Sequence, residues 1–489
     1  MARITLRDLD PESESVSVPN QGEESRGILR WIALAKRMAL TVLRLVTGSQ
    51  NVRSGRLRTN AVLSLVFRLV TMCIGIVLVP ITLNYLSTQK YGIWLTLTSI
   101  VAWFNLFDVG LGHGLRNRLA EALARDDRDL ARTYVATAYA ALSAIAGVLC
   151  VAFFVVAPFL NWAWVLNADQ VPAGELIALV LIVFFAFSVR FVSSLINVLL
   201  SADQRNWYIG GFEMVGNLTT LVGVILVTRT TKGSLVALGG TLSLISALVP
   251  IAVSFYLYSG RYKWLRPRMI YIQANRFREL SSLGVRFFFL QIVGVLQFGV
   301  QNVLISHLIG PSSVASYNVA FKYFSLIIMF YSTAMLPLWT AFTEAFVKGD
   351  MVWIRSTVRN VLKIWSAVAL LCALMLVVSP VVYRKLVGDA VKIEFLLSLV
   401  VAVYVLLNTW GTVFTLFVNS IGKIKLQITV ASFAALANVP VAIVLVKYFG
   451  MGSTGIVLST VLCMAPAAIV TPWQYYKIVN GSATGIWNA

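Results

Sequence analysis

Five cations sit inside long apolar runs of this chain: Arg68, Arg190, Arg286, Lys322 and Lys363. Guanidinium and ammonium groups can replace the hydration shell of an anion, phosphate above all, through charge-assisted hydrogen bonds. At the centre of a membrane-inserted helix each costs about 2.5–3.5 kcal/mol, so a surplus of them needs a reason. Snorkelling, in which the long stem carries the charge back to the headgroups, is one reason. It suits Lys363, one turn from Arg359, and it suits Arg68 and Arg286 in part, each roughly 10 Å inside its run. Arg190 is 15 residues from Glu175 and 13 from Asp203, roughly 20 Å from either end and out of reach of water. Lys322, about 15 Å from Ser312, is a poor snorkeller too. The other reading is a water-filled cavity in which the five bind an anionic passenger, with phosphate as the leading candidate.

Acids in the same runs are fewer. Asp108 and Glu213 read either as counter-ions to the arginines or as proton carriers that couple movement to an ion gradient. Asp108 opens a further pattern: Gly110, Gly112 and Gly114 follow it, then Arg116, Arg118, Arg125 and Arg128. A plain membrane anchor needs none of these, so the three glycines are a candidate hinge. They are not a nucleotide loop, because they follow a membrane-length run and not a strand. Trp94, Trp103, Tyr323, Tyr331 and Trp339 could stack on sugar rings, or could be ordinary lipid-facing and interfacial aromatics. The four cysteines all fall in apolar runs and read as small buried hydrophobes, and the two histidines lie far apart. No metal or cofactor is expected.

The elements that must position these residues are membrane helices. Of 489 residues, 58% are apolar and only 12% charged, far too few charges to cover a soluble protein of this size. Mean hydropathy is +0.82. Runs of about 20 apolar residues recur along the chain, the length a bilayer demands. The expectation is an all-α polytopic membrane protein of about twelve transmembrane helices. The spans fall near 61–86, 92–115, 133–157, 175–201, 208–228, 234–258, 282–308, 313–345, 354–379, 394–420, 426–446 and 453–476. Alternate loops then hold 28 Lys and Arg on the amino-terminal side against seven on the other, which places both termini in the cytoplasm. The same bias accounts for the net charge of +20 without nucleic acid as a partner. In the amino-terminal tail, Arg30, Arg37 and Arg44 recur every seven residues within Ile28 to Val46. That stripe suits a helix lying on an anionic leaflet, or a soluble tail helix.

The chain also repeats itself. Ser64-Leu-Val-Phe-Arg68 resembles Ser282-Leu-Gly-Val-Arg286, and Glu121, Asp127 and Arg132 return as Glu344, Asp350 and Arg355 at a constant offset of 223. Pro158 ends the third span as Pro380 ends the ninth, while Gly233-Ser234 and Pro250 match Gly452-Ser453 and Pro466. The shared order predicts two six-helix bundles related by a pseudo-twofold axis along the membrane normal. The division is a basic tail at 1–57, a first bundle at 58–258, a cytoplasmic linker at 259–281, a second bundle at 282–477, and a tail at 478–489.

Three stretches, Leu78-Val-Pro-Ile-Thr-Leu-Asn-Tyr-Leu86, Tyr91-Gly-Ile-Trp-Leu95 and Phe107-Asp-Val-Gly-Leu-Gly-His-Gly-Leu-Arg-Asn117, carry a resemblance to a known family. The chain resembles the Wzx-type flippases of O-antigen and exopolysaccharide units, in the MATE-like multidrug/oligosaccharidyl-lipid/polysaccharide superfamily. The resemblance implies two bundles in a V around a cationic cavity and no catalytic residue. It implies a passenger that is an anionic, undecaprenyl-diphosphate-linked oligosaccharide. This would flip from the cytoplasmic to the periplasmic leaflet of the bacterial inner membrane, coupled to protons or another ion. Membrane lipids, a polysaccharide polymerase and a chain-length regulator are the implied partners. Two alternatives stay open: a drug/ion antiporter of the same fold, and a membrane glycosyltransferase or polymerase acting on the same lipid carrier. The antiporter would favour an acidic cavity. The enzyme would need a long external loop or paired carboxylates.

Overall fold

The computed structural model describes residues 55–488 apart from 109, 336–337 and 389, with the side chains of 55–65, 113, 206, 282–290 and 340 also outside the description. The expected interfacial helix at Ile28 to Val46 therefore lies outside the described residues. Among those described, the structure is helical throughout. The first half holds α1 (Gly55–Leu86), α2 (Thr88–Trp103), α3 (Leu111–Ala124), α4 (Arg128–Val156), the short α5 (Trp162–Leu166), α6 (Ala173–Ser193), α7 (Leu195–Ala202), α8 (Asn206–Thr230) and α9 (Leu235–Ser259). The second holds α10 (Ala274–Gly294), α11 (Gln301–Leu308), α12 (Pro311–Met335), α13 (Leu338–Val347), α14 (Met351–Val387), α15 (Phe395–Ser420), α16 (Lys425–Lys447) and α17 (Gly452–Val479). Ten described stretches are long and apolar enough to cross a membrane.

The two expected spans missing from those ten, 92–115 and 282–308, are broken. Between α2 and α3 the chain passes through a 3-10 turn, Phe104–Asp108, and then Gly110 at φ 73°. A side chain is strained in that left-handed region, so the glycine permits the turn. Between α10 and α11 the helix widens into one π turn, Val295–Gly299. Irregular backbone persists at membrane depth only where protein or a wet cavity satisfies it. Here the carbonyl of Gln297, inside the π turn, accepts from Asn438 Nδ2 at 2.8 Å, and that of Gly299 from Trp103 Nε1 at 3.1 Å.

Three sequence expectations need correction. Pro380 does not end its span, because α14 runs on to Val387. Proline has no N–H for the carbonyl four residues back, but Ser379 Oγ donates to that Leu376 carbonyl at 2.8 Å and the helix continues. Cys73 is exposed, not buried; its helix turns that face outward, whereas Cys372 and Cys463 are buried. The segment expected as the end of a linker, up to residue 281, is already the start of α10. Leu280 packs into the first half's core. Tyr134 Oη and Arg276 Nη1 both donate to Glu279, at 2.8 and 2.6 Å, and hold its carboxyl below the usual carboxylate range.

The apolar core explains the shape. At the end of the helices away from the basic loops, one continuous cluster joins Leu83, Leu97, Val183 and Leu235 of the first half to Ile305, Phe324, Val401 and Val457 of the second. At the basic end the core is split. Leu111, Leu119, Val135, Leu199 and Tyr262 form one cluster, while Phe342, Ile354, Val361 and Phe417 form another. Cores that merge at one end and part at the other make a V whose mouth faces the basic loops. Hydrogen bonds across the halves reinforce the closed end: Thr88 Oγ1 to the Ala390 carbonyl at 2.7 Å, Asn302 Nδ2 to Ser99 Oγ at 2.7 Å, and Asn167 Nδ2 to the Ser306 carbonyl at 2.6 Å.

The repeat is visible in local contacts. Asp127 and Asp350 each cap the helix they precede, accepting from Leu130 N and Trp353 N at 3.0 and 2.9 Å. Arg132 donates to the Trp264 carbonyl and Arg355 to that of Val479, so each ties the start of its third helix to the exit of its sixth.

The closed end makes a stability prediction. A Cβ on Gly92 would stand 1.7 Å from the Pro311 carbonyl oxygen, whereas one on Gly75 meets nothing within 4 Å. Gly92→Ala should lose about 1–3 kcal/mol to overpacking, and Gly75→Ala should be neutral or slightly stabilising, as read by thermal unfolding in detergent. Equal behaviour of the two variants would mean the halves are not close-packed there.

Candidate functional site

The intramembrane cations gather near the depth at which the core divides. In α6, Val183 belongs to the shared core and Phe191 to the split one, and Arg190 lies between them, in the helix's last turn. The span bends just beyond, at Ser194, before α7. A cation at that position also meets the negative end of the helix dipole. In α14, Lys363 lies between Val361 of the split core and Cys372 of the shared one. Lys322 of α12 sits between Ala320 and Phe324, both in the shared core, and is half-buried. Arg68, Arg190 and Lys363 are exposed. Arg286 lies on α10, with its side chain outside the described residues.

Arg68 does something the sequence did not announce. Its Nη1 donates to Thr333 Oγ1 at 3.0 Å, which bridges α1 of the first half to α12 of the second. Thr333 carried no signal, being one of many hydroxyls in apolar runs.

The ion pairs lie elsewhere. Arg118–Glu121, Arg128–Asp126, Arg132–Asp129, Arg205–Asp203, Arg276–Glu279 and Lys348–Glu344 all fall in or beside the basic loops. Among the described residues, none of the intramembrane cations has an acid within 4 Å. Among the described residues Asp108 and Glu213 form no ion pair with Arg68, Arg190, Lys322 or Lys363. Glu213 is exposed on α8 with no described cation in ion-pair range. Asp108 accepts from Gly112 N at 3.0 and 3.2 Å, so its carboxylate satisfies the amino end of α3 at the break.

The three glycines have three separate situations. Gly110 supplies the left-handed turn. Gly112 keeps room for Asp108, whose Oδ2 would lie 3.2 Å from an added Cβ. Gly114 lets α3 meet α10, where a Cβ would stand 2.1 Å from the Leu280 carbonyl oxygen. The aromatics divide as well. Trp94 and Tyr331 are buried, Tyr323 Oη is bonded to the Met375 carbonyl, and Trp339 is 45% exposed. Trp103 is half-buried with its Nε1 on the Gly299 carbonyl, so Trp339 retains the most freedom of the five to meet a ligand.

Sequence reasoning passed over the amides. Asn105 and Gln291 face one open cleft of about 380 Å³ between the two broken spans. A second group, Gln301, Asn438, Ser459 and Thr460, forms a buried network with Tyr317 around the π turn. Amides within apolar runs were the available signal, since an unpaired one in hydrocarbon is costly.

The family description "Polysaccharide biosynthesis protein" matches residues 57–337, more than half of the chain. Similar curated proteins include a putative O-antigen transporter of Salmonella typhi, 21% identical over 72% of this chain and 81% of its own length. A putative O-antigen export protein of Yersinia pseudotuberculosis is 21% identical over 73% and 82%. Among solved structures, an inward-facing multidrug resistance MATE family transporter of the MOP superfamily superposes with a TM-score of 0.70 at 13% identity, over 91% of this chain and 98% of that one. An outward-facing one gives 0.59 at 15% identity, over 90% and 98%. The lipid II flippase MurJ in an inward closed conformation gives 0.62 at 14% identity, over 86% and 90%. With a MATE-like fold and ten membrane-length helices among the described residues, the chain is a multi-pass membrane protein, and by its match over residues 57–337 it belongs to the polysaccharide biosynthesis protein family.

Proposed function

We propose that the protein is a flippase for undecaprenyl-diphosphate-linked oligosaccharide units. It moves them from the cytoplasmic to the periplasmic leaflet of a bacterial inner membrane, for O-antigen or exopolysaccharide assembly. One observation carries the reading: among the described residues, Arg68, Arg190, Lys322 and Lys363 lie at membrane depth with no acid in ion-pair range. A cation facing hydrocarbon without a partner costs several kcal/mol, whereas one facing a wet cleft is held ready for an anion. The diphosphate is that anion. Guanidinium and ammonium groups strip part of its hydration as it enters from the basic end, and the prenyl chain stays among the lipids. The named activities of the curated relatives support a lipid-linked saccharide as passenger.

In this reading both termini lie in the cytoplasm and the V rocks between inward and outward states. Closing the basic end requires the two split cores to meet and the Thr88, Asn167 and Asn302 hydrogen bonds at the other end to break. Protons or another ion drive the cycle, with Asp108 and Glu213 as the acids available in or beside the spans. Arg286 completes the cationic set by its place in the repeat. A polysaccharide polymerase and a chain-length regulator receive the product.

Two predictions follow from this mechanism. Losing a charge-assisted contact costs about 1.5–3 kcal/mol, so Arg190→Ala should slow translocation of the lipid-linked unit in proteoliposomes by about tenfold or more, with Arg190→Lys retaining part of the activity. Parental rates in Arg190→Ala would remove the anion argument. Gly112→Leu should slow turnover more than it weakens substrate binding, because it crowds Asp108 at the break and touches no cation. Separate measurement of equilibrium binding and single-cycle transport would show whether the two fall together, which would leave the break without a role in the cycle.

A further inference from the structure

The cleft between the two broken spans has none of Arg68, Arg190, Lys322 and Lys363 in its lining. Its walls include Ala102, Asn105, Gln291, Gly294, Phe298 and Gly299, and its volume is about 380 Å³. Asn105 is 17 residues from the start of α2 and Gln291 is 17 residues from the start of α10, so both sit roughly 25 Å along their spans. The two spans enter from opposite ends, and the cleft is therefore at mid-depth, where the shared core gives way to the two split ones. The Trp103 Nε1 bond to the Gly299 carbonyl, 3.1 Å long, fixes one wall to the other.

The chemistry of the walls is specific. Among the described lining residues there is no charge, so these walls do not compete with the cations for phosphate. It is not a plain hydrocarbon groove either, because two amides face it. The Oε1 of Gln291 is buried and accepts no hydrogen bond from the described residues. An acceptor left in that condition costs about 1–3 kcal/mol until a donor arrives. Asn105 is exposed, with its Nδ2 on the Ala102 carbonyl and its Oδ1 free to accept. Phe298, 38% exposed, offers an apolar ring face beside them. Neutral acceptors flanking an aromatic face match a polyhydroxylated ring, which has hydroxyl donors at its rim and C–H bonds on its faces. A prenyl chain has no donor to give, and a phosphate would need cations.

We infer that this cleft is a sugar subsite: it receives a saccharide ring of the lipid-linked unit, with Gln291 Oε1 and Asn105 Oδ1 accepting from its hydroxyl or amide groups and Phe298 lying against its face. The inference rests on the flippase reading and deepens it, by separating the groups that bind sugar from the cations that bind diphosphate. The backbone irregularity is what makes the subsite. The 3-10 turn of one span and the π turn of the other leave space that two straight helices would fill, and π turns frequently mark functional positions.

The test uses the full-length protein in nanodiscs and two probes. One is the lipid-linked oligosaccharide extracted from the cells in which the protein is native, and the other is undecaprenyl diphosphate carrying no sugar. Gln291→Leu should weaken binding of the first about tenfold and leave binding of the second unchanged. Asn105→Ala, on the opposite wall and a separate helix, should give the same pattern even if Gln291→Leu fails to fold. Arg190→Ala, by contrast, should weaken both. If Gln291→Leu and Asn105→Ala leave oligosaccharide binding intact, or weaken both probes equally, the subsite is overturned while the flippase reading stands. If the parent protein binds neither probe, the flippase reading fails and the subsite fails with it.

Discussion

Charge that the protein does not neutralise for itself is the constraint on which the rest depends. Six acids are used at the basic end, in short-range pairs in or beside the loops. Those pairs are exposed or half-exposed and contribute little stability. Among the described residues Arg68, Arg190, Lys322 and Lys363 have no acid in ion-pair range, and Arg190 and Lys363 lie where the core begins to divide. A single apolar cluster at one end and two at the other provide the space in which a charged side chain can remain hydrated.

Backbone irregularity has a related origin. A membrane helix can be interrupted only where its freed carbonyls and amides find partners. Asp108 supplies one for the start of α3, Asn438 and Trp103 supply two for the π turn. These partners come from the same layer at which the core divides. Straight helices through that layer would pack the halves together along their whole length, and the V would have no mouth. The interruption also brings neutral amides into a cleft, so the proposed division between sugar and diphosphate follows from one local departure from helical regularity.

The helical, membrane-spanning architecture was legible because hydrophobic run length is a direct consequence of bilayer thickness. The repeat was legible through Asp127 and Arg132, whose counterparts Asp350 and Arg355 cap and clasp helices in the same way in the second half. Both broken spans read as continuous, although Gly110, Gly112 and Gly114 at the end of the first read as a candidate hinge; the π turn of the second was not foreseen. Hydropathy averages over a window and does not register one left-handed glycine or one extra residue in a helical turn. Pro380 misled for the opposite reason: a helix breaker was read without its neighbour Ser379, which repairs the lost hydrogen bond. The cations were found from sequence because charge in an apolar run stands out, whereas Asn105 and Gln291 did not, since a neutral amide barely alters the hydropathy of its span. Opposing walls of a cleft are also set by which helices pack together, and a single chain read residue by residue does not contain that pairing.

The most direct measurement is the accessibility of position 190. In a background in which the four native cysteines are replaced, Arg190→Cys is reconstituted and treated with a membrane-impermeant thiol reagent from each side in turn. The account predicts labelling from the side that carries the basic loops, little from the other, and slower labelling when undecaprenyl diphosphate is present. A cysteine there that resists reagent from both sides, or is labelled equally with and without the diphosphate, would place Arg190 in lipid or packed protein and contradict the claim that its charge is held for the passenger.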